Sequence, residues 1–280
     1  MEDWYHANLL DALVDRDTAQ PRIEITMRKM LDLLDEAGAK ATVFVLGRVA
    51  ERHPKLVAMV VNSGHEIASH GYDHRLIYEQ SADVFGRDIE KSIASIQNAT
   101  GVRPLGYRAP SWSITGRTLW ALDIVRQAGF VYDSSIFPFR TPLYGIGKAP
   151  REPFQIKLKS GSLMEFPPGL ATLMGLSLPF SGGCYFRLLP YALSQLCFKR
   201  FARRGVPAVF YSHPWELDRS CPRVEGLGIF GSLVQYGGVS CYENKLKQFL
   251  RSFRFTTFRA YMEDISRKAG LPEILLADLQ

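Results

Sequence analysis

Apolar residues recur along this chain at two spacings, and the alternation between them predicts the architecture. From 22 to 39, Ile23, Met27, Met30, Leu31 and Leu34 fall on one helical stripe, and Gly38 supplies a stop. Residues 41–47 follow as a nearly continuous apolar run, the mark of a strand covered on both faces. The alternation then repeats, with a helix over 50–62, a short strand over 65–69, and a helix over 81–99 whose stripe is Val84, Ile89, Ile93 and Ile96. A strand over 106–108, a helix over 115–128 and a strand over 130–134 complete this half. Strands alternating with helices imply right-handed crossovers and a parallel sheet or barrel.

The pattern changes after Phe137. Pro138, Pro142, Pro150, Pro153, Pro167, Pro168 and Pro179 make 137–184 loop-rich, with short strands expected at 154–158 and 163–166. Loops of this length in a compact domain often shape a cleft. A helix over 190–204, an apolar strand over 208–212, a Gly-rich loop over 220–239 and a helix over 242–253 come next. The tail, 258–280, reads as helical and peripheral, and the first residues read as a frayed terminus. With no repeat and no low-complexity linker, 1–280 is expected to be a single domain.

Composition narrows the class without naming a chemistry. A 46% hydrophobic and 22% charged content in 280 residues excludes disordered and collagen-like chains. The net charge of +6 comes without a long Lys/Arg block, so a mildly basic surface is expected and no nucleic-acid partner. The basic end of 190–204 is read as cations at a helix C-terminus, with peripheral membrane contact the weaker alternative. Cys184, Cys197, Cys221 and Cys241 lack Cys-x-x-Cys spacing, which predicts free thiols in a reducing compartment. With no apolar run of spanning length and no secretory signal, the expectation is a soluble cytoplasmic protein.

The chemistry concentrates in 64–74, where three of the six histidines lie within eleven residues. His70 and His74 are four apart, a spacing that on one helical turn brings both imidazoles to one side. Two imidazoles and a carboxylate around a divalent metal leave a position open for water, the usual plan of a hydrolytic site. These histidines follow the end of a strand, as do Tyr107-Arg108-Ala109-Pro110-Ser111 and His213-Pro214-Trp215. In α/β folds such ends face one another even when distant in sequence.

With these stretches, and with 2–6, 41–47, 106–113, 132–135, 182–190 and 210–216, the chain resembles the polysaccharide deacetylases of carbohydrate esterase family 4, with their NodB-type domain. The closest likeness is to the subgroup associated with exopolysaccharide and exosortase loci. The resemblance implies a distorted (β/α)7 barrel and metal-dependent removal of N-acetyl groups from a polysaccharide or oligosaccharide, with zinc as metal and cobalt as substitute. It implies His70 and His74 as ligands, His213 as general acid, Arg108 as the residue orienting the base, and the main chain near Ser111 as oxyanion donor. Asp133 matches the supporting aspartate loosely, the usual Asp-Trp pairing being absent. Trp112 and Trp215 flank the site as sugar-stacking or core residues.

Relatives of this kind carry Asp-x-Glu/Asp-Asp-Trp at the end of the first strand, its first aspartate serving as base and a following acid as ligand. Met1 stands directly before Glu2-Asp3-Trp4 here, which predicts a barrel lacking most of its first strand and a site without that base. Glu2 is then the first choice of carboxylate ligand and Asp3 the second. Two rival readings keep the fold: a barrel that binds carbohydrate without turnover, and an amidohydrolase of cyclic ureides.

Overall fold

The computed structural model describes residues 1–173, 175–265 and 270–280. Strands β1 (Thr42–Val45), β2 (Glu66–Ser69), β3 (Gly106–Tyr107) and β4 (Tyr132–Asp133) pair in parallel, in chain order. β4 then pairs in parallel with β6 (Gly161–Glu165), which is antiparallel to β5 (Phe154–Leu158). The result is the expected α/β fold with a mostly parallel sheet, although its hydrogen-bonded ladders do not close into a ring.

The helices lie where the stripes put them. α1 (Ile23–Glu36) buries Ile23, Met27, Met30, Leu31 and Leu34 in one cluster with Val45, Leu46, Val49 and Ala50. α4 (Ala82–Thr100) starts at Ser81, whose hydroxyl accepts the Val84 N–H, and ends at Gly101 with φ 72°. On α4 the buried stripe of Ile89, Ile93 and Ile96 begins at Phe85 rather than at its neighbour Val84. Gly106 is fixed by packing, since a Cβ there would lie 1.9 Å from the Tyr132 ring.

Six expectations need correction. The helix over 50–62 is two, α2 (Gly47–Arg52) and α3 (Pro54–Asn62), because His53 before the proline leaves helical geometry at φ −130° and ψ 54°. The helix over 115–128 is only α5 (Trp120–Gln127); Thr118 Oγ1 holds the Thr115 N–H and makes the preceding residues a turn. The strand over 208–212 touches its neighbours through two isolated bridges, Val209 to Pro168 and Tyr211 to Gly182. β7 (Leu170–Leu173) and β8 (Leu176–Pro179) form a separate hairpin between those bridge partners.

The loop over 220–239 contains a helix, labelled α8 (Gly228–Tyr236) after α6 (Gly183–Leu188) and α7 (Tyr191–Arg203). Its apolar residues do not mark a core face: Ile229 and Phe230 are 93% and 80% exposed. α9 (Val239–Ser252) follows and buries Tyr242, Leu246 and Phe249. The tail is not peripheral. After α10 (Phe258–Ile265), β9 (Glu273–Leu275) adds to the edge of β5 and Leu279 is buried; residues 266–269 lie outside the described set. The first residues are not frayed either, since Met1 to His6 are all buried. No helix among the described residues is long and apolar enough to cross a membrane.

Candidate active site

The cluster begins with how the first residues are fastened. Asp3 turns its carboxylate to the start of α1, accepting from the Trp4, Arg22 and Ile23 N–H groups at 2.9, 2.7 and 3.0 Å. It satisfies orphan donors there, as a helix N-terminus favours. Its neighbour Glu2 therefore faces the opposite way, into the end of the sheet. Asp3, the second-choice ligand, is thus a helix-capping group and not part of the histidine cluster.

His70 leaves the end of β2 with its N–H on Val45 O at 2.9 Å, and its Nδ1 lies 2.6 Å from Arg108 O. That contact requires the proton on Nδ1 and leaves Nε2 as a lone pair, 3.5 Å from Glu2 Oε2. His74 Nε2 lies 2.9 Å from the same oxygen. The two histidines are not on a helical turn. They sit on a strand-to-loop corner, with His74 at φ 55°, braced by Arg48 on Asp73 at 2.7 Å and by Asp88 on the Tyr72 N–H at 2.8 Å.

Ligand atoms of Glu2, His70 and His74 all lie within 4.8 Å of one another. Glu2 Oε2 is buried and accepts no hydrogen bond, which suits a carboxylate oxygen meant for a cation. Burial alone would raise the Glu2 carboxyl, but the His74 charge and the close His70 and His74 rings hold it well below the usual range. Burial pulls His70 down to about 4, against Glu2, so its ring is neutral and able to ligate. The donor set fits a divalent metal.

His213 reaches the cluster from the other side, its Nε2 3.6 Å from Glu2 Oε1. Its Nδ1 lies 3.3 Å from Glu216 Oε2, which also accepts the His213 N–H at 2.8 Å. Arg187 Nε donates to Glu216 Oε1 at 2.8 Å, and its other nitrogens bond the carbonyls of Val234, Gln235 and Gly237 at the end of α8. The protein packed around the ring would lower the His213 pKa, yet the Glu216 charge and bond, with help from Glu2, raise it above the ordinary value. Glu216 and Arg187 were not singled out in the sequence. The signal available was a Glu three residues after a histidine that precedes Pro, the spacing of a capping box.

Arg108 is held by Ser134, at 3.2 Å to its carbonyl and 2.7 Å to its hydroxyl, and stacks over Phe44 at 4.1 Å. Burial lowers its pKa to about 10 against the pull of Asp133. Asp133 itself makes its bonds to Ser135, at 3.1 and 2.6 Å, and pairs across the ladder with Glu165. Burial raises both carboxyls, Glu165 further because of the Asp133 charge. Asp133 thus acts on Arg108 through charge, while Ser134 makes the direct contact.

Ser111 and Trp112 both have φ 49°, an unfavourable backbone for side-chain-bearing residues of the kind found at functional sites. Trp112 packs on Tyr211 at 4.5 Å, and Trp215 lies parallel to His213 at 5.9 Å and is 5% exposed. His70, His74, Arg108, Trp112 and His213 line a cavity of about 1080 Å³.

Residues 17–132 match the family described as polysaccharide deacetylase, and 134–263 match one described as a domain of unknown function, DUF3473. A peptidoglycan deacetylase-like protein of Gibberella zeae is 34% identical over 122 residues, 41% of this chain and 34% of that protein. A peptidoglycan deacetylase of Helicobacter pylori is 32% identical over 117 residues, 40% of this chain and 38% of that one. The chain thus spans little more than a third of the length of these relatives. A putative polysaccharide deacetylase structure from Mycobacterium smegmatis superposes with TM-score 0.60 at 20% identity, over 90% of this chain and 80% of that one. An allantoinase superposes with TM-score 0.62 at 17% identity, over the same shares, so the structural likeness speaks for the fold alone. The polysaccharide deacetylase match covers the part of the chain that holds β1, β2, β3, His70 and His74.

Proposed function

We propose that the chain is a metal-dependent hydrolase that removes N-acetyl groups from sugars of a polysaccharide or its precursor, within the exopolysaccharide-associated subgroup. The observation that carries this reading is the convergence of Glu2, His70 and His74 within 4.8 Å, with His213 3.6 Å from Glu2 on the far side. Glu2, His70 and His74 hold the cation, with zinc the first choice. Zinc would supply a Lewis acid for the acetyl carbonyl and a bound water whose pKa is about 7.

The remaining roles fall to the chain itself. An amine leaves poorly unless protonated, and His213, its pKa raised by Glu216, is protonated near neutrality and faces the cluster. Glu216 fixes the ring through Nδ1 and so aims Nε2 at the leaving nitrogen. The main-chain N–H of Ser111, on the strained corner, serves as donor to the developing oxyanion. Arg108 supplies a half-buried positive charge at the cavity wall, and Trp112 offers a ring face to the sugar.

The test is acetate release from N-acetylated chito-oligosaccharides and peptidoglycan, with the protein loaded with Zn²⁺ or Co²⁺ and then stripped by a chelator. Release that disappears on stripping and returns with metal is expected. Metal-loaded protein that frees no acetate from any N-acetylated glycan contradicts the proposal.

A further inference from the structure

We infer that Trp112, Tyr144 and Tyr185 form a second subsite that stacks a pyranose ring adjoining the one whose acetamide enters the histidine cluster. The inference rests on the deacetylase reading and adds a preference for oligosaccharides over single sugars. The three residues come from three places in the chain, yet all line the cavity that holds His70, His74 and His213.

The segment bearing Tyr144 is built as a rigid wall. Thr141 Oγ1 accepts from the Leu143 and Tyr144 N–H groups at 3.2 and 3.0 Å, and Tyr144 O accepts the Thr141 N–H at 2.8 Å. Gly145, at φ 99°, lets the chain double back, since a Cβ there would lie 2.0 Å from Phe139 O. Ile146 N–H then closes the turn on Phe137 O at 2.8 Å. A turn braced this well nevertheless leaves Leu143 66% exposed beside the cavity.

Tyr185 is brought to Tyr144 by a second tight approach. Gly182 permits it, because a Cβ at that position would meet Tyr211 O at 2.0 Å. The two phenol oxygens then lie 2.8 Å apart, joining the wall to α6. Trp112 stands 6.0 Å from Tyr144 on its strained corner, and its buried Nε1 has no hydrogen-bond partner. A buried indole N–H without an acceptor costs free energy, so the fold alone gains nothing from that placement. A sugar ring answers each feature: its C–H face stacks on the aromatic rings, and its hydroxyls meet the indole N–H and the phenols.

The test compares the ratio of kcat/KM for N-acetylated chitotetraose to that for the methyl glycoside of N-acetylglucosamine, in the metal-loaded whole chain. Tyr144→Ala and Tyr185→Ala are each expected to lower this ratio about tenfold, the equivalent of about 1.4 kcal/mol of ring stacking. Tyr144→Phe, which keeps the ring and loses the phenol bridge, is expected to retain most of the ratio. Should Tyr144→Ala fail to fold, Tyr144→Leu reads the same loss of a ring. Variants that slow both substrates equally, or that change neither, overturn the subsite while leaving the deacetylase reading in place. A wild-type protein that hydrolyses neither sugar and shows no tryptophan quenching by chitotetraose removes both.

Discussion

Glu2, His70 and His74 stand on backbone that is itself pinned, at a strand end by the Val45 carbonyl and at corners by the Asp3, Asp73 and Asp88 carboxylates. His213 is held by side chains: its segment has only the two bridges at Val209 and Tyr211, and the Glu216–Arg187 pair does the rest. A metal-binding cluster gains from the first kind of support, since ligand atoms must stay fixed within a few tenths of an ångström. A proton donor gains from the second, because a buried carboxylate both aims the ring and raises its pKa. The difference teaches that the two halves fail separately, one by losing metal and the other by losing proton transfer.

The largest effect should come from His213→Gln. This variant is expected to keep its metal and lose about 10²- to 10⁴-fold in kcat, the usual weight of a general acid. Measured metal content and single-turnover acetate release check it, and near-normal turnover would remove His213 from the chemistry. Next comes Arg187→Met, which takes away the arginine partner of the buried Glu216 carboxylate and leaves it His213 alone. Loss of about 3–5 kcal/mol is expected in urea unfolding, the cost of breaking a buried pair.

Glu216→Gln is the subtler break. Protonated His213 is the working form, so activity is present below its pKa and fades as pH rises through it. Removing the Glu216 charge lowers that pKa, and the alkaline limb of the kcat profile should move to lower pH. An unmoved limb would mean that another group sets it. The smallest effect belongs to the backbone-held half: Ser81→Ala removes the α4 cap, should cost about 1 kcal/mol, and should leave the pH limb where it was.

Legibility in the sequence follows the same division. The apolar run before Gly47 and the stripes of α1 and α4 announce themselves because their burial repeats with the period of the element. The segment at 208–212 reads as a strand for the same reason, yet its partners are irregular and form no ladder. α8 is invisible because its apolar residues face solvent, and β9 because three residues carry no period. Within the site, the i, i+4 spacing of His70 and His74 predicted that the two rings lie close but by the wrong geometry, since a corner at φ 55° replaces the helical turn. Glu2 and Asp3 differ by one position, and only α1's need for a capping carboxylate decides which of them faces the histidines.

The central claim is that Glu2, His70 and His74 bind one cation between them, and zinc titration of three proteins tests it directly. Wild type and Asp3→Asn should each take up one zinc per chain with similar affinity, while Glu2→Gln should bind at least about a hundredfold more weakly. Zinc bound as tightly by Glu2→Gln as by wild type, or lost from Asp3→Asn while its fold persists, would contradict the account.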